Sequence, residues 1–345
     1  METILGLDYP SVWFIIIAVL FIGYAILDGY DFGAGSWHLF FKDNTERRIA
    51  INSVGPLWDG NEVWLVIGGG ALFAGFPLMY ATLFSGMYVP FMLFLLFLIF
   101  RAISIEFRSK EPMTWWTKTW DTSYSVSSGM LALLLGVVLG NVLQGMQVGD
   151  NFDYAGAGFF EFLTPYPLVI GLLSLTLMMW HGALYLMYKT EGAMQQQIIS
   201  LGKKGFILFV VLYIAATLFT VYATPQNLSV FHSNPVFWLF PLLVPVAIAL
   251  SYIFYTKTKY VYGFICSSLT IGLLLIVAAM GVFPNLLVST IDPAHTITIY
   301  NAASSEKTLG IMLLIVSIGT PLLIAYTVIA LYIFRGKVKL DETSY

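Results

Sequence analysis

Long apolar stretches recur along all 345 residues of this chain, and they restrict its fold more than any other feature. Hydrophobic residues make up 59% of the sequence and charged residues 10%, which leaves no polar segment large enough for a soluble domain. In hydrocarbon, each backbone polar group needs a partner within its own segment, which favours helices; a barrel would need alternating segments of about 10 residues. The sequence therefore predicts an all-α polytopic membrane protein.

A hydropathy window of about 19 residues locates nine candidate transmembrane helices. We expect a single integral membrane domain over residues 1–345, built as two four-helix bundles plus one peripheral helix. Helices 1–4 would occupy about residues 9–146, helices 5–8 about 163–282 and helix 9 about 308–334. The nine predicted spans are about 9–38, 49–74, 78–101, 122–146, 163–188, 204–223, 235–256, 261–282 and 308–334.

The positions of Lys and Arg predict how the chain is oriented, because basic loops stay on the cytoplasmic side of a membrane. With nine spans threaded in order, Lys307 alone among the 16 Lys and Arg residues falls on one side. We therefore expect a multi-pass protein with its N-terminus outside and its C-terminus cytoplasmic. No basic patch lies beyond the cytoplasmic loops, so the sequence gives no support for nucleic-acid binding.

Five ionisable residues lie in or at the end of the first apolar helices. Asp28 and Asp31 occur in LDGYDFGAG, Asp59 and Glu62 in WDGNEVW, and Arg101 in FLIFRAISIEFRSK. Residues three apart share one face of a helix, and both acidic pairs lie at a similar distance from the loop that joins their helices. We expect the four acids to form one cluster, with Arg101 within reach on the cytoplasmic side.

Two interpretations of this cluster remain open. A carboxylate near the bilayer centre costs about 2.5–3.5 kcal/mol, so some benefit must offset the burial of the acids. The functional interpretation is a proton path from the inner face. The structural interpretation has two parts. One is a lattice of Asp and Arg salt bridges that holds the helices in register, and the other is that Glu62 and Asp28 lie close enough to the headgroups to be ordinary interfacial residues.

The four histidines do not predict a haem or metal site in this chain. His232 and His295 fall in external loops, His38 lies at the inner end of helix 1, and His181 alone lies within a span. We expect His181 to be a hydrogen-bonded core residue. No H-E-x-x-H motif or nucleotide-binding fingerprint is present, so we assign no catalytic residue and no metal ligand to the chain.

Three segments, LDGYDFGAG, TERRIAINSVGPLWDGNEVWLVIGGGALFAGFP and FRAISIEFRSK, together resemble subunit II of the cytochrome bd quinol oxidase family, most strongly over about residues 9–145. This resemblance implies a terminal oxidase of a bacterial or archaeal cell membrane, in which subunits I and II form a heterodimer that oxidises quinol and reduces O2 to water. It implies that subunit I binds haem b and haem d, and that this chain ligates none of them. Whether a small single-span subunit also joins the complex stays open.

The resemblance also suggests roles for individual residues, because the family's cytoplasmic proton path runs near the subunit interface. Carried onto this sequence, the path has Asp59 as its strongest candidate and Asp31 next, supported by Asp28, Glu62 and Arg101. For Trp64 two roles stay open, an O2 route toward the haem or simple helix packing.

Other functions remain as alternatives. A proton-coupled secondary transporter would use the same acids, but its binding helices should break near the midplane, and the sequence predicts no such break in helices 1 and 2. A purely structural membrane subunit would lose stability, and not proton uptake, when the acids are neutralised.

Overall fold

The computed structural model describes residues 3–4 and 6–340, with side chains from residue 6 onward, and this part of the chain is largely helical. The all-α class predicted from the sequence is confirmed. The α-helices of the described residues are α1 (Tyr9–Trp37), α2 (Asn44–Val54), α3 (Trp58–Gly75), α4 (Pro77–Gly86), α5 (Tyr88–Phe107), α6 (Thr114–Gln144), α7 (Pro165–Lys189), α8 (Gly192–Ala223), α9 (Ser229–Ser233), α10 (Leu239–Thr256), α11 (Tyr260–Val282) and α12 (Glu306–Ile333). Two short antiparallel pairs join β1 (Thr3–Ile4) to β2 (Leu7–Asp8) and β3 (Asn285–Leu287) to β4 (Ile297–Thr298).

Eight helices of the described chain are long and apolar enough to cross a membrane: α1, α5, α6, α7, α8, α10, α11 and α12. The pair α3 and α4 would make a ninth span if counted as one, but the two helices meet at an angle of 116°. The predicted number of nine spans therefore depends on counting this broken pair.

The second and third predicted spans have the wrong boundaries. The span predicted at 49–74 is divided between α2 and α3, and the one predicted at 78–101 is divided between α4 and α5. Pro56, Pro77 and Pro90 lie at or beside these breaks. Proline lacks an N–H and disfavours helical backbone at the residue before it, so each proline can start a helix but interrupts one that precedes it. The expectation of an unbroken second helix is thus wrong.

The helices form two groups that meet at the centre of the molecule. In the first group, α3 and α6 pack against α1, and α5 packs against α6. In the second, α8 and α11 pack against α7, and α10 packs against α11. Helix α7 joins the groups because it also packs against α1 and α6, while α12 lies at the periphery against α1 and α3.

A close crossing of α1 and α7 fixes the rotation of α1. A Cβ atom on Gly33 would come within 1.8 Å of the Met178 carbonyl oxygen, and one on Gly182 within 2.4 Å of the Ala34 nitrogen. Only glycine allows the two backbones to approach this closely. With α1 held in this rotation, Asp28 and Asp31 are presented to Arg101 on α5.

One end of the bundle carries the basic residues, and we call it the basic face. It comprises the α1–α2, α5–α6, α7–α8 and α10–α11 connections and the segment after α12. Every Lys and Arg lies at or near it except Lys307 and Arg101, which is inside α5. The segment after α12 is tied to the end of α7: Lys189 donates to the carbonyl of Phe334, and the Val338 N–H donates to the carbonyl of Lys189 at 2.9 Å.

Candidate functional site

Arg101 lies at the centre of a buried cluster that joins three helices, and we call it the Arg101 cluster. Its guanidinium contacts Glu62 of α3 at 2.7 Å and two carboxylates of α1, Asp28 at 3.2 Å and Asp31 at 3.6 Å. The side chains of Arg101, Asp28 and Asp31 are fully buried, and that of Glu62 is 23% exposed. The structure thus brings together four of the five residues selected from the sequence.

Neighbouring side chains hold the Arg101 cluster in place. Asn61 donates from its amide nitrogen to Asp31 Oδ2 at 2.8 Å, and the same nitrogen lies 2.8 Å from the Tyr30 hydroxyl. The Phe32 ring lies 4.9 Å from the guanidinium carbon of Arg101. Aromatic faces attract cations, so this ring also stabilises the guanidinium.

The Arg101 cluster contains more acid than base. With every group ionised, three carboxylates would surround one guanidinium, and such an excess of buried negative charge is costly. In addition, Asp28 Oδ2, Asp31 Oδ1 and Arg101 Nε are buried without a hydrogen-bond partner in the described chain. Orphaned polar atoms of this kind can be satisfied by buried water or by a bound proton. The cluster therefore has the chemistry to accept and hold a proton.

Asp59 does not belong to this cluster, contrary to the expectation from helical spacing. Its side chain is exposed on the outer face of α3, in line with the exposed side chains of Val63 and Val66. Glu62 lies three residues later and turns inward, toward Arg101. Spacing showed that the two acids share one side of α3, but how α3 packs on α1 decides which of them is buried.

A second ionic cluster, which the sequence did not lead us to expect, lies toward the basic face; we call it the Asp121 cluster. The carboxylate of Asp121 on α6 contacts His38 Nε2 at 2.5 Å, Arg108 Nε at 2.5 Å and Arg47 Nη1 at 2.9 Å. His38 is fully buried, whereas the Arg47 side chain is 22% exposed. The cluster therefore extends from the surface of the basic face into the helix bundle.

Tyr124 lies between the two clusters. It follows Asp121 by three residues on α6, and its ring makes an edge contact with the His38 ring at a centroid distance of 5.1 Å. Its hydroxyl is buried without a partner in the described chain, and the group interacts electrostatically with Arg101, Asp31 and Asp28. His38 Nδ1 is likewise buried and unpaired within the described residues. Unpaired polar atoms thus occur in both clusters and on Tyr124 between them.

Of the two buried histidines, His181 does not fit a haem held by this chain. His181 is fully buried, and both of its ring nitrogens have protein partners, the Ser267 hydroxyl at 2.6 Å and the Ile26 carbonyl at 3.1 Å. His38 contacts Asp121 through Nε2, whereas its Nδ1 is unpaired within the described residues. Among the described residues no group of three or more His, Cys, Asp or Glu side chains could hold a metal ion.

Trp64 packs three helices together. Its ring lies over Gly23 of α1, where an added Cβ would meet the ring at 2.3 Å, and its indole nitrogen donates to the Thr327 hydroxyl of α12 at 3.3 Å. This geometry accounts for the residue as a packing element, and the O2 route remains a prediction.

Three comparisons with known proteins relate this chain to one family. A family model described as cytochrome bd terminal oxidase subunit II matches residues 9–334. The cytochrome bd-I ubiquinol oxidase subunit 2 of Escherichia coli (strain K12) is 31% identical over 363 residues, covering 96% of this chain and 95% of the relative. The cytochrome bd ubiquinol oxidase subunit 2 of Bacillus subtilis (strain 168) is also 31% identical, covering 96% and 97%.

A solved structure shares the fold. The structure of bd oxidase from Geobacillus thermodenitrificans contains a chain that matches with a TM-score of 0.77 and 18% sequence identity, over 94% of this chain and 99% of that one. At this level of identity, the match supports a shared arrangement of helices and nothing more. The family assignment rests on the family model and on the two relatives that match over nearly their whole length.

Proposed function

Because the chain belongs to the cytochrome bd terminal oxidase subunit II family, we propose that it forms, with a subunit I, a complex that oxidises quinol and reduces O2 to water. The observation that carries this proposal is the match of named ubiquinol oxidase subunits along nearly the whole chain. A proton-coupled transporter is not favoured by any of these relatives.

The haems implied by the family would lie on the partner subunit. The support is chemical: both ring nitrogens of His181 are already used in hydrogen bonds. This chain then contributes to the reaction through protons and not through electrons.

The Arg101 cluster would be the proton-holding site of this subunit. Reduction of O2 to water consumes protons, and Asp31, Asp28 and Glu62 offer three carboxyl groups around one cation. Arg101 limits the energetic cost of charged carboxyls, while the excess of acid favours a bound proton. The same arrangement that strains the helix bundle therefore gives it a site that a proton can enter and leave.

Protons would enter through the Asp121 cluster. Arg47 and Asp121 connect the basic face to His38, and Tyr124 bridges the remaining distance to Asp31. His38 and Tyr124 can each accept and donate a proton, and water can fill the gaps between their unpaired atoms. The path from the basic face to the Arg101 cluster would therefore be a chain of side chains and water.

Asp59 would take the proton onward to the partner. It is exposed on a face of α3 that is otherwise apolar, next to the peripheral helix α12, and it interacts electrostatically with Glu62. A carboxylate on an apolar membrane face needs a polar partner, which a second subunit can supply. Asp59 then links the buried cluster to the subunit interface, where the family resemblance also puts the path.

The proposed orientation follows from the same scheme. The basic face would be cytoplasmic, which puts the N-terminus outside, the C-terminus inside and the Asp121 cluster in contact with the cytoplasm. A small single-span subunit remains a further candidate partner.

The assembly is tested by purifying the tagged chain from its own host membranes in mild detergent. We expect a larger membrane subunit to co-purify, with haem bands in the reduced-minus-oxidised spectrum and quinol-dependent O2 consumption. A colourless chain that purifies alone from membranes with normal oxidase activity would contradict the proposal.

A further inference from the structure

A groove of about 570 Å³ lies between α5 and α6, separate from the acidic and basic clusters. Phe97 and Phe100 of α5 form one wall, and the other wall comes from α6, from Lys118 onward. The groove starts near the beginning of α6, beside a cluster of three indole rings formed by Trp115, Trp116 and Trp120. Tryptophan is enriched where a membrane meets water, so the groove begins at headgroup depth and continues into the hydrocarbon.

The α6 wall is unusually polar for a membrane-facing surface. Two of its hydroxyls are satisfied within the helix, since Thr119 and Thr122 each donate to the carbonyl four residues earlier at 2.9 Å. Ser123 and Ser127 have no hydrogen-bond partner in the described chain, and Ser127 is only 2% exposed. An unpaired hydroxyl is unfavourable in an apolar environment. The hydroxyls of Ser123 and Ser127 can therefore donate hydrogen bonds to an acceptor from outside the chain.

The cation is also unpaired. Lys118 is exposed, and no carboxylate of the described residues forms a salt bridge with it. Ser123 and Ser127 lie roughly 7 and 13 Å further along the helix axis, and their side chains tilt back toward Lys118 because side chains of an α-helix lean toward its N-terminus. A cation at headgroup depth is thus followed by two free donors and an aromatic wall.

We propose that this groove binds one anionic phospholipid from the surrounding bilayer. Its phosphate pairs with the Lys118 ammonium, its ester carbonyls accept hydrogen bonds from Ser123 and Ser127, and an acyl chain lies against Phe97 and Phe100. A transmembrane helix of a partner would offer the serines few acceptors, because its backbone carbonyls are already used within the helix. A phospholipid supplies a negative charge, two carbonyls and an apolar chain in this order.

The test is the lipid content of the purified complex. Native mass spectrometry and lipid extraction should find one phosphatidylglycerol or cardiolipin retained per complex after delipidation in mild detergent. Lys118→Ala should lower this retention about fivefold, which corresponds to the loss of one lysine near a lipid phosphate. The double variant Ser123→Ala with Ser127→Ala should lower retention without changing the preference for anionic lipid.

Matched controls are available in the same chain. Lys110→Ala removes an exposed lysine of the basic face that does not line the groove, and Ser317→Ala removes an exposed hydroxyl that donates to its own helix. Both should retain lipid as the unaltered complex does. Equal retention in the groove variants and the controls would overturn the proposal, as would a crosslink from a photoreactive residue at Val126 to another polypeptide. Lipid retention is measured without turnover, so its outcome is independent of the oxidase function.

Discussion

At the scale of single residues, Arg101 makes the contacts on which the first helix group most depends. It is the cation that faces Asp28, Asp31 and Glu62, and it is fully buried. Removing one partner of a buried ion pair leaves the other charges uncompensated, which is more costly than never having formed the pair. The stability of the first helix group therefore depends on this side chain more than on any exposed charge.

Arg101→Ala should lower the stability of the complex by about 3–5 kcal/mol, because two fully buried acids and the partly buried Glu62 lose their cation. The measurement is the loss of intact complex on heating in detergent. Arg48→Ala is the control, since Arg48 lies at the basic face and outside the Arg101 cluster. Equal thermal stability of the two variants would show that the acids do not depend on Arg101.

The variant Tyr124→Phe tests the proton path without disturbing the fold. The Tyr124 hydroxyl has no hydrogen-bond partner in the described chain, so its removal should leave folding and haem content unchanged. A positioned proton donor contributes about 10²-fold or more to a proton transfer, and we expect oxidase turnover to fall at least about tenfold.

Tyr166→Phe is the matched control for Tyr124→Phe. It removes a hydroxyl that is 3.1 Å from the Thr220 hydroxyl, far along the chain from both clusters. This variant should lose some stability and keep its turnover. Unchanged turnover in Tyr124→Phe would remove that residue from the path.

At the scale of helices, the crossing of α1 and α7 decides whether the clusters can form. Gly33→Ala would put a methyl group on the Met178 carbonyl, so α1 and α7 must separate or rotate, and Asp28 and Asp31 must move from Arg101. We expect little assembled complex by native gel. Gly69→Ala should assemble normally, because nothing lies within 4 Å of its added Cβ. Normal assembly of Gly33→Ala would mean that the crossing tolerates a wider spacing.

The helices also show how much of the fold and of the site could be predicted from the sequence. Helical spacing was sufficient to group Asp28 with Asp31, and apolar runs were sufficient to find most spans. The breaks at Pro56 and Pro77 could have been predicted from the prolines themselves, but a hydropathy window averages across a proline and does not show them. The contact of His38 with Asp121 was not readable, because it joins residues 83 positions apart and depends on how α1 packs on α6.

At the scale of the whole molecule, the distribution of charge predicts the topology. A cysteine at exposed Lys204 should react with a membrane-impermeant thiol reagent only after the inner face is opened, whereas one at exposed Lys307 should react from outside. The native Cys266 is buried and gives little background. Labelling of both positions from the same side would contradict the proposed orientation.

The central claim is that the Arg101 cluster carries protons for O2 reduction, and its most direct test is proton uptake by Asp31→Asn in proteoliposomes during quinol oxidation. The amide keeps the shape of the side chain but cannot hold the proton, so uptake from the cytoplasmic face and turnover should both fall at least about tenfold with haem content unchanged. Asp153→Asn, in an exposed loop away from the basic face, should behave like the unaltered complex. Normal uptake by Asp31→Asn would contradict this account and leave the cluster a structural salt-bridge lattice.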